Sequence, residues 1–233
     1  MFRGGKVLAL IPARTGSKGL PHKNVLSVGG LPLVAWSILA AKESRYVDRI
    51  VVSTDGAEIA NVAREYGADV PFLRPAHLAT DHAPTGDVVL HCLDQLEKEG
   101  STYDLLVLLQ PTSPLRTGED VDGALELLGD RDAAAVVSVC KAEHSALLVN
   151  TLPDDGDMSG FLQPEAIRTP RQVLGRYYRI NGAIYAARCT RLRSGGWFFG
   201  PGSYAYVMPR ERSIDVDEEY DLRVANLLLS SDR

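Results

Sequence analysis

Apolar residues along this chain come in short unbroken runs that alternate with amphipathic stretches. The first run, residues 7–11 (VLALI), is short enough for a strand buried on both faces. Pro12 ends it, having no N–H to extend a ladder. Residues 33–41 (LVAWSILAA) are apolar at helical spacing, and Lys42 and Glu43 extend them. A second buried strand is predicted at 49–54 (RIVVST), closed by Asp55-Gly56. Residues 57–66 (AEIANVAREY) place Ile59, Val62 and Ala63 on one side of a helix, with Gly67 as its C-cap. A short strand is expected at 70–73. This opening reads β-loop-α-β-α-β, which implies a parallel sheet with right-handed crossovers.

The alternation continues with a helix at 88–96, a near-continuous apolar strand at 103–109 (YDLLVLL), a helix at 120–128 and a strand at 134–139 (AAVVSV). Residues 177–186 (YYRINGAIYA) return to β character. Asn181-Gly182 interrupts them, either as a bulge or as a close backbone approach to a ligand. A closing amphipathic helix is expected at 219–229, with Leu222, Ala225, Leu228 and Leu229 inward. Between 140 and 176 the periodicity fades into Pro, Gly, Asp and Gln, which predicts an excursion from the sheet, with a linker or disorder as the alternative. The pattern as a whole predicts an α/β, Rossmann-like three-layer fold with a mainly parallel sheet, one domain over residues 1–233.

Composition narrows the function classes. A chain of 233 residues with a net charge of −5 is unsuited to general binding of nucleic acid or membrane surfaces. The cysteines (Cys92, Cys140, Cys189) are odd in number and far apart, so neither a disulfide framework nor a zinc site is indicated. His77, His82 and His91 have no metal-ligand spacing. The start of the sequence has no signal-peptide pattern and no apolar run reaches about 18 residues, which predicts a cytoplasmic protein.

Within this acidic chain the loop after the first strand stands apart. Residues 13–24 hold Arg14, Lys18 and Lys23, no carboxylate, and the loop formers Gly16, Gly19 and Pro21. A buried strand emptying into such a loop is how open α/β sheets bind phosphate, although a solvated connection would read the same way. Neither the Walker A pattern nor Gly-x-Gly-x-x-Gly occurs, so a nucleotide site here is of another kind. Asp55 lies at the same sheet edge and could equally cap the helix after it. Residues 74–87 are polar, carry prolines and are expected to line the cleft. Near the C-terminus, alternation in an extended segment puts Asp215 and Asp217 on one face, about 7 Å apart. A pair so spaced suits Mg²⁺, which takes one or two carboxylates and leaves its other positions to water and phosphate; a solvated strand end is the alternative.

The strings IPARTGSKGLPHKN (11–24), STD (53–55), QPTSPLRT (110–117), NGAIY (181–185) and SIDVD (213–217) occur in the order found in the CMP-sialic acid synthetases, or acylneuraminate cytidylyltransferases, and the chain closely resembles that family. The resemblance implies transfer of a cytidylyl group from CTP to the anomeric hydroxyl of a nine-carbon 2-keto-3-deoxy sugar acid, with Mg²⁺ as cofactor. It further implies catalytic roles for Arg14, Lys18, Lys23 and Asp217, and nucleotide contacts at Ala13, Arg14, Ser17, Asn24, Arg74, Ala83 and Thr85. Sugar contacts would fall to Gln110, Arg171, Asn181, Tyr185, Phe198 and Phe199, and the metal to Asp215 and Asp217. The excursion at 140–176 would serve a homodimer and close the sugar site. Leu148 stands where some N-acetylneuraminate enzymes carry lysine, and the stretch 148–153 is more like relatives that activate legionaminic or pseudaminic acid. A nucleotide-sugar glycosyltransferase, from the formal Asp-x-Asp, and a non-catalytic nucleotide sensor are the rival readings.

Overall fold

A computed structural model describes residues 1–16, 19–162, 164–168 and 175–231. Its strands are β1 (Val7–Pro12), the hairpin of β2 (Ser27–Val28) and β3 (Leu31–Pro32), β4 (Arg49–Ser53), β5 (Leu105–Leu108), β6 (Ala135–Lys141), β7 (Tyr178–Arg188) and β8 (Ser203–Val207). The helices are α1 (Leu33–Glu43), α2 (Ala57–Glu65), α3 (Thr85–Lys98), α4 (Gly118–Asp130), the short α5 (Pro164–Arg168) and α6 (Cys189–Arg193), and α7 (Glu219–Ser231).

Six strands form one sheet in the order β4-β1-β5-β7-β6-β8. β1 pairs parallel with β4 and β5, and β6 with β8, while β7 runs antiparallel between β5 and β6. The mainly parallel α/β fold is therefore present. Side-chain alternation explains its three layers. Val7, Ala9 and Ile11 of β1 join Val34 and Ile38 of α1, Ile59 and Ala63 of α2, and Val121 and Leu125 of α4. Leu8 and Leu10 face the other way, onto Val89, Leu93 and Leu96 of α3, Leu192 of α6 and Phe198. A strand buried on both faces has no polar face to show, which is why β1 reads as an unbroken apolar run.

A third, smaller cluster decides where the chain ends meet. Val28 and Leu33 from the hairpin region pack with Val216 and with Ala225 of α7. Asn226 fastens this contact, its Oδ1 accepting from the Gly29 N–H at 2.8 Å. The segment before α7 is thereby laid against the loop that follows β1.

Some expectations are corrected. Residues 70–73 form no strand: only single bridges, Val51 to Asp69 and Thr54 to Leu73, line the outer edge of β4. Pro71 between them has no N–H to give a ladder. Helix α3 starts at Thr85 rather than 88, its first turn being polar. β8 was not foreseen; it is a sheet edge whose side chains stay largely exposed, so it leaves little apolar signature. The excursion leaves between β6 and β7 through a neck closed by the Ala142 N–H donating to the Tyr177 carbonyl at 2.9 Å. Its described part exposes Val149, Leu152, Met158 and Ile167.

Candidate active site

A cleft of about 370 Å³ opens at the C-terminal ends of β1 and β5. It is lined by Pro12, Arg14, Gly16, Lys23 and Asn24 from the first loop, and by Arg74, Leu78, Thr80, Asp81, Ala83, Thr85 and Val88 from the stretch before and into α3. Gln110, Pro111 and Thr112 after β5 and the two acids Asp215 and Asp217 complete it. Strand C-termini in an open parallel sheet are where such crevices form.

The first loop is held from several directions. The Asn24 amide donates to the Arg14 carbonyl at 2.8 Å. The Asp55 carboxylate accepts from the Thr15 N–H at 2.9 Å and from the Thr15 hydroxyl. Asp55 is thus a clamp on the loop and not a helix cap; the N-cap position of α2 is Gly56, without a side-chain bond. Burial pushes the Asp55 carboxyl up, but the Thr15 bonds and the Arg74 charge outweigh it and leave its pKa below the ordinary value. Arg74 is itself buried and donates to the Ser53 hydroxyl at 3.1 Å and to the Ser53 carbonyl. Burial lowers its pKa to about 10, so it remains a cation at neutral pH.

Cations and acids meet across the cleft. Lys23 Nζ lies 2.8 Å from Asp217 Oδ1, and Arg14 Nη1 lies 2.6 Å from Asp81 Oδ1. Asp81 was not singled out from the sequence; it lies in the stretch expected to line the cleft, but nothing local reveals its partner. Gly19, in the same loop, packs so closely that a Cβ there would stand 2.5 Å from the Asp217 carbonyl oxygen. Asp215 is the more enclosed acid, and its Oδ1 is buried without a hydrogen-bond partner among the described residues. Burial, helped by the Asp217 charge, raises its pKa against the opposing pull of Thr112, Lys23 and Arg179. An orphaned carboxylate oxygen beside a second carboxylate fits a hard divalent cation such as Mg²⁺. No cluster of three or more His, Cys, Asp or Glu fit for a metal occurs among the described residues.

The turn after β5 rests on an arginine the sequence reading passed over. Arg116 is buried and donates to the Gln110 carbonyl at 3.2 Å, to the Ala183 carbonyl at 2.8 Å and to the Ser37 hydroxyl. Burial lowers its pKa to about 9. On β7 the ladder to β6 breaks between Val137 and Val139, so four residues from Asn181 to Ile184 stand opposite Ser138. Gly182 has φ +76°, and a Cβ on it would lie 2.6 Å from Gln110 Oε1 and 3.5 Å from Asp215 Oδ2. The interruption is therefore both a bulge and a close approach of backbone to the cleft.

Of the residues assigned from the sequence, Arg14, Lys23, Asn24, Arg74, Ala83, Thr85, Gln110, Asp215 and Asp217 line this one cleft. Ala13 does not; it is fully buried and its N–H is taken by the Ser53 carbonyl at 3.0 Å. Asn181 is also off the lining, 1% exposed, with its amide nitrogen on Ser213 Oγ (2.9 Å) and its oxygen accepting from Ser138 (2.6 Å) and the Ala183 N–H. Its bonds are made inside the protein, where it shapes the bulge. Phe198 belongs to the core, whereas Phe199 is exposed and stands edge-on to Tyr185 at 6.3 Å. Tyr185 is close enough to the acids for Asp215, after burial, to raise its pKa. Ser17, Lys18 and Arg171 lie outside the described residues.

Residues 8–154, more than half of the chain, match the family model for cytidylyltransferases. The chain belongs to the cytidylyltransferase family. Among members, it is 34% identical over 227 residues to the CMP-N,N'-diacetyllegionaminic acid synthase of Legionella pneumophila, covering 96% of both chains. It is 35% identical over 221 residues to the N-acylneuraminate cytidylyltransferase of Escherichia coli, covering 94% of this chain and 51% of that one, and so spans about half the length of that relative. The fold resembles that of CMP:2-keto-3-deoxy-manno-octonic acid synthetase, solved in complex with CTP, with a TM-score of 0.71 at 19% identity over 98% of this cytidylyltransferase and all of that chain. No helix among the described residues of this family member is long and apolar enough to cross a membrane.

Proposed function

We propose that this cytidylyltransferase joins CTP to a nonulosonic, sialic-type sugar acid, giving the CMP-sugar and pyrophosphate. The observation that carries the reading is the Lys23–Asp217 contact at 2.8 Å, which unites the cationic loop and the paired aspartates in one cleft. The names of the relatives supply the substrate class. The anomeric hydroxyl oxygen bonds to the α-phosphorus, the α–β bridging P–O bond breaks with its electrons leaving on pyrophosphate, and the hydroxyl proton is released into the open cleft. Such chemistry needs positioning and neutralised charge more than covalent help.

Arg14 and Lys23, with Ser17 and Lys18 of the same loop, take the triphosphate. Exchange of Asp81 and Asp217 for phosphate oxygens leaves the cations paired throughout. Gln110 orients the sugar, and Arg171 takes its carboxylate by a bidentate contact. Asp215 and Asp217 would hold Mg²⁺, which when bound supplies positive charge against the phosphate oxygens. We assign the exposed apolar residues of the excursion, Val149, Leu152, Met158 and Ile167, to a homodimer contact, and the protein to the cytoplasm.

The test is incubation with CTP, Mg²⁺ and a panel of N-acetylneuraminic, legionaminic and pseudaminic acids, read by mass spectrometry for CMP-sugar and by pyrophosphate release. Nucleotide release from a nucleotide sugar without pyrophosphate would make it a glycosyltransferase. CTP that binds but is returned unchanged with every acid would make it a sensor.

A further inference from the structure

The acid-bearing segment 213–217 belongs to no helix or strand. Its geometry is set by bonds to neighbouring elements, and one carboxylate outside the cleft serves two walls at once. Asp120, in the first turn of α4, is 1% exposed. One side of it closes the turn after β5: Asp120 Oδ2 accepts from the Thr117 N–H and hydroxyl, both at 3.1 Å, while the Asp120 N–H donates to Thr117 Oγ1 at 3.3 Å. The other side grips the guanidinium of Arg212, whose Nε lies 3.0 Å from Oδ2 and whose Nη2 lies 2.7 Å from Oδ1. Arg212 stands three residues before Asp215, and Thr117 ends the turn that begins at Gln110. A further bond runs between the same two stretches, the Val216 N–H donating to the Thr112 carbonyl at 2.8 Å.

We propose that Asp120 and Arg212 are positioning residues which, through one bidentate ion pair between a buried carboxylate and a part-exposed guanidinium, set the paired aspartates in register with Gln110 and the turn after β5. Neither touches the cleft. A planar fork on a carboxylate fixes direction as well as distance, which a single charge contact does not. The capping bonds to Thr117 stiffen the other end, so the pair links two rigid points through a segment with no ladder of its own. A small misplacement of groups acting on transition-state charge is costly in rate. The kinetic half of this inference rests on the cytidylyl-transfer reading; the structural half does not.

The experiment compares Arg212→Gln, which leaves the Thr117–Asp120 cap in place, with Arg212→Lys and Asp120→Asn. Amide hydrogen exchange over residues 213–217 and over α4 is measured without substrate, alongside kcat and KM for CTP. The expected result for Arg212→Gln is at least about tenfold faster exchange at Val216 with α4 still protected, and kcat lower by about 10- to 100-fold with KM for CTP within about threefold. Arg212→Lys should recover part of both, and Asp120→Asn combined with Arg212→Gln should cost no more than the worse single change. Unchanged exchange at 213–217 would overturn the proposal, as would equal loss of protection in α4, or faster exchange with kcat intact. A chain inactive toward every acceptor would sink the cytidylyl-transfer reading, and this inference would then stand or fall on the exchange data alone.

Discussion

At the scale of single residues, Lys23 and Asp217 differ from Asp215 in what they do for stability. Asp217 is 67% exposed, so its pairing with Lys23 is worth little to the fold. Lys23→Ala and Asp217→Ala are each expected to cut turnover by roughly two to four orders of magnitude while the melting temperature stays within about 2 °C. Pyrophosphate release at a near-normal rate in either variant would refute the assignment. Asp215 is the opposite case. Burial and its neighbouring carboxylate raise its pKa, so the native state holds that proton more tightly than the unfolded chain does. Stability therefore falls as pH rises through the interval between the ordinary and the raised carboxyl pKa, and above it the ionised group carries its full penalty. Asp215→Asn should abolish turnover yet leave the melting temperature at neutral pH equal or higher; a fall of the size seen for core truncations would contradict this.

At the scale of elements, the cleft depends on loops fixed by buried polar side chains. Asp55 accepts two bonds from Thr15, and an amide in its place can accept but also turns an N–H₂ toward the donors. Asp55→Asn should raise KM for CTP by about tenfold, equivalent to about 1.4 kcal/mol, with a smaller change in kcat. An unchanged KM in steady-state assays would remove Asp55 from the clamp. In the turn after β5, Arg116→Met would take the guanidinium donor from the Ala183 carbonyl and the Ser37 hydroxyl, while the Gln110 carbonyl would keep the Ser37 hydroxyl and the Ser113 N–H. The expected cost is about 2–4 kcal/mol in chemical denaturation. Gly182→Ala combines a left-handed backbone with a contact at 2.6 Å to Gln110 Oε1, so kcat should drop and the melting temperature with it.

At the scale of the whole molecule, activity should vanish on chelation and return with added Mg²⁺, because without a cation between them Asp215 and Asp217 add their own negative charge to that of the phosphates. The homodimer assigned to the excursion predicts a dimeric sedimentation coefficient, and Leu152→Asp with Ile167→Asp should give a monomer. A monomeric parent protein would dismiss that assignment. Much of this architecture is legible locally. Strand β1, helices α1 and α2, and the Asn181-Gly182 bulge follow from periodicity and from the backbone freedom of glycine. β8 and the single bridges at 69 and 73 do not, because edges bury too little to leave a pattern.

The sequence by itself determined the alternation of strands and helices, the basic loop and the same-face placement of Asp215 and Asp217, since each depends on neighbours within a few positions. Tertiary structure alone decided that Lys23 would meet Asp217 across 194 positions, that Asp81 would face Arg14, and that Asn181 would turn inward while one Asp215 oxygen was left without a hydrogen-bond partner among the described residues. Such pairings depend on α7 docking onto the β2–β3 hairpin and on where buried polar atoms find partners. These are properties of packing in three dimensions, and no local pattern encodes them.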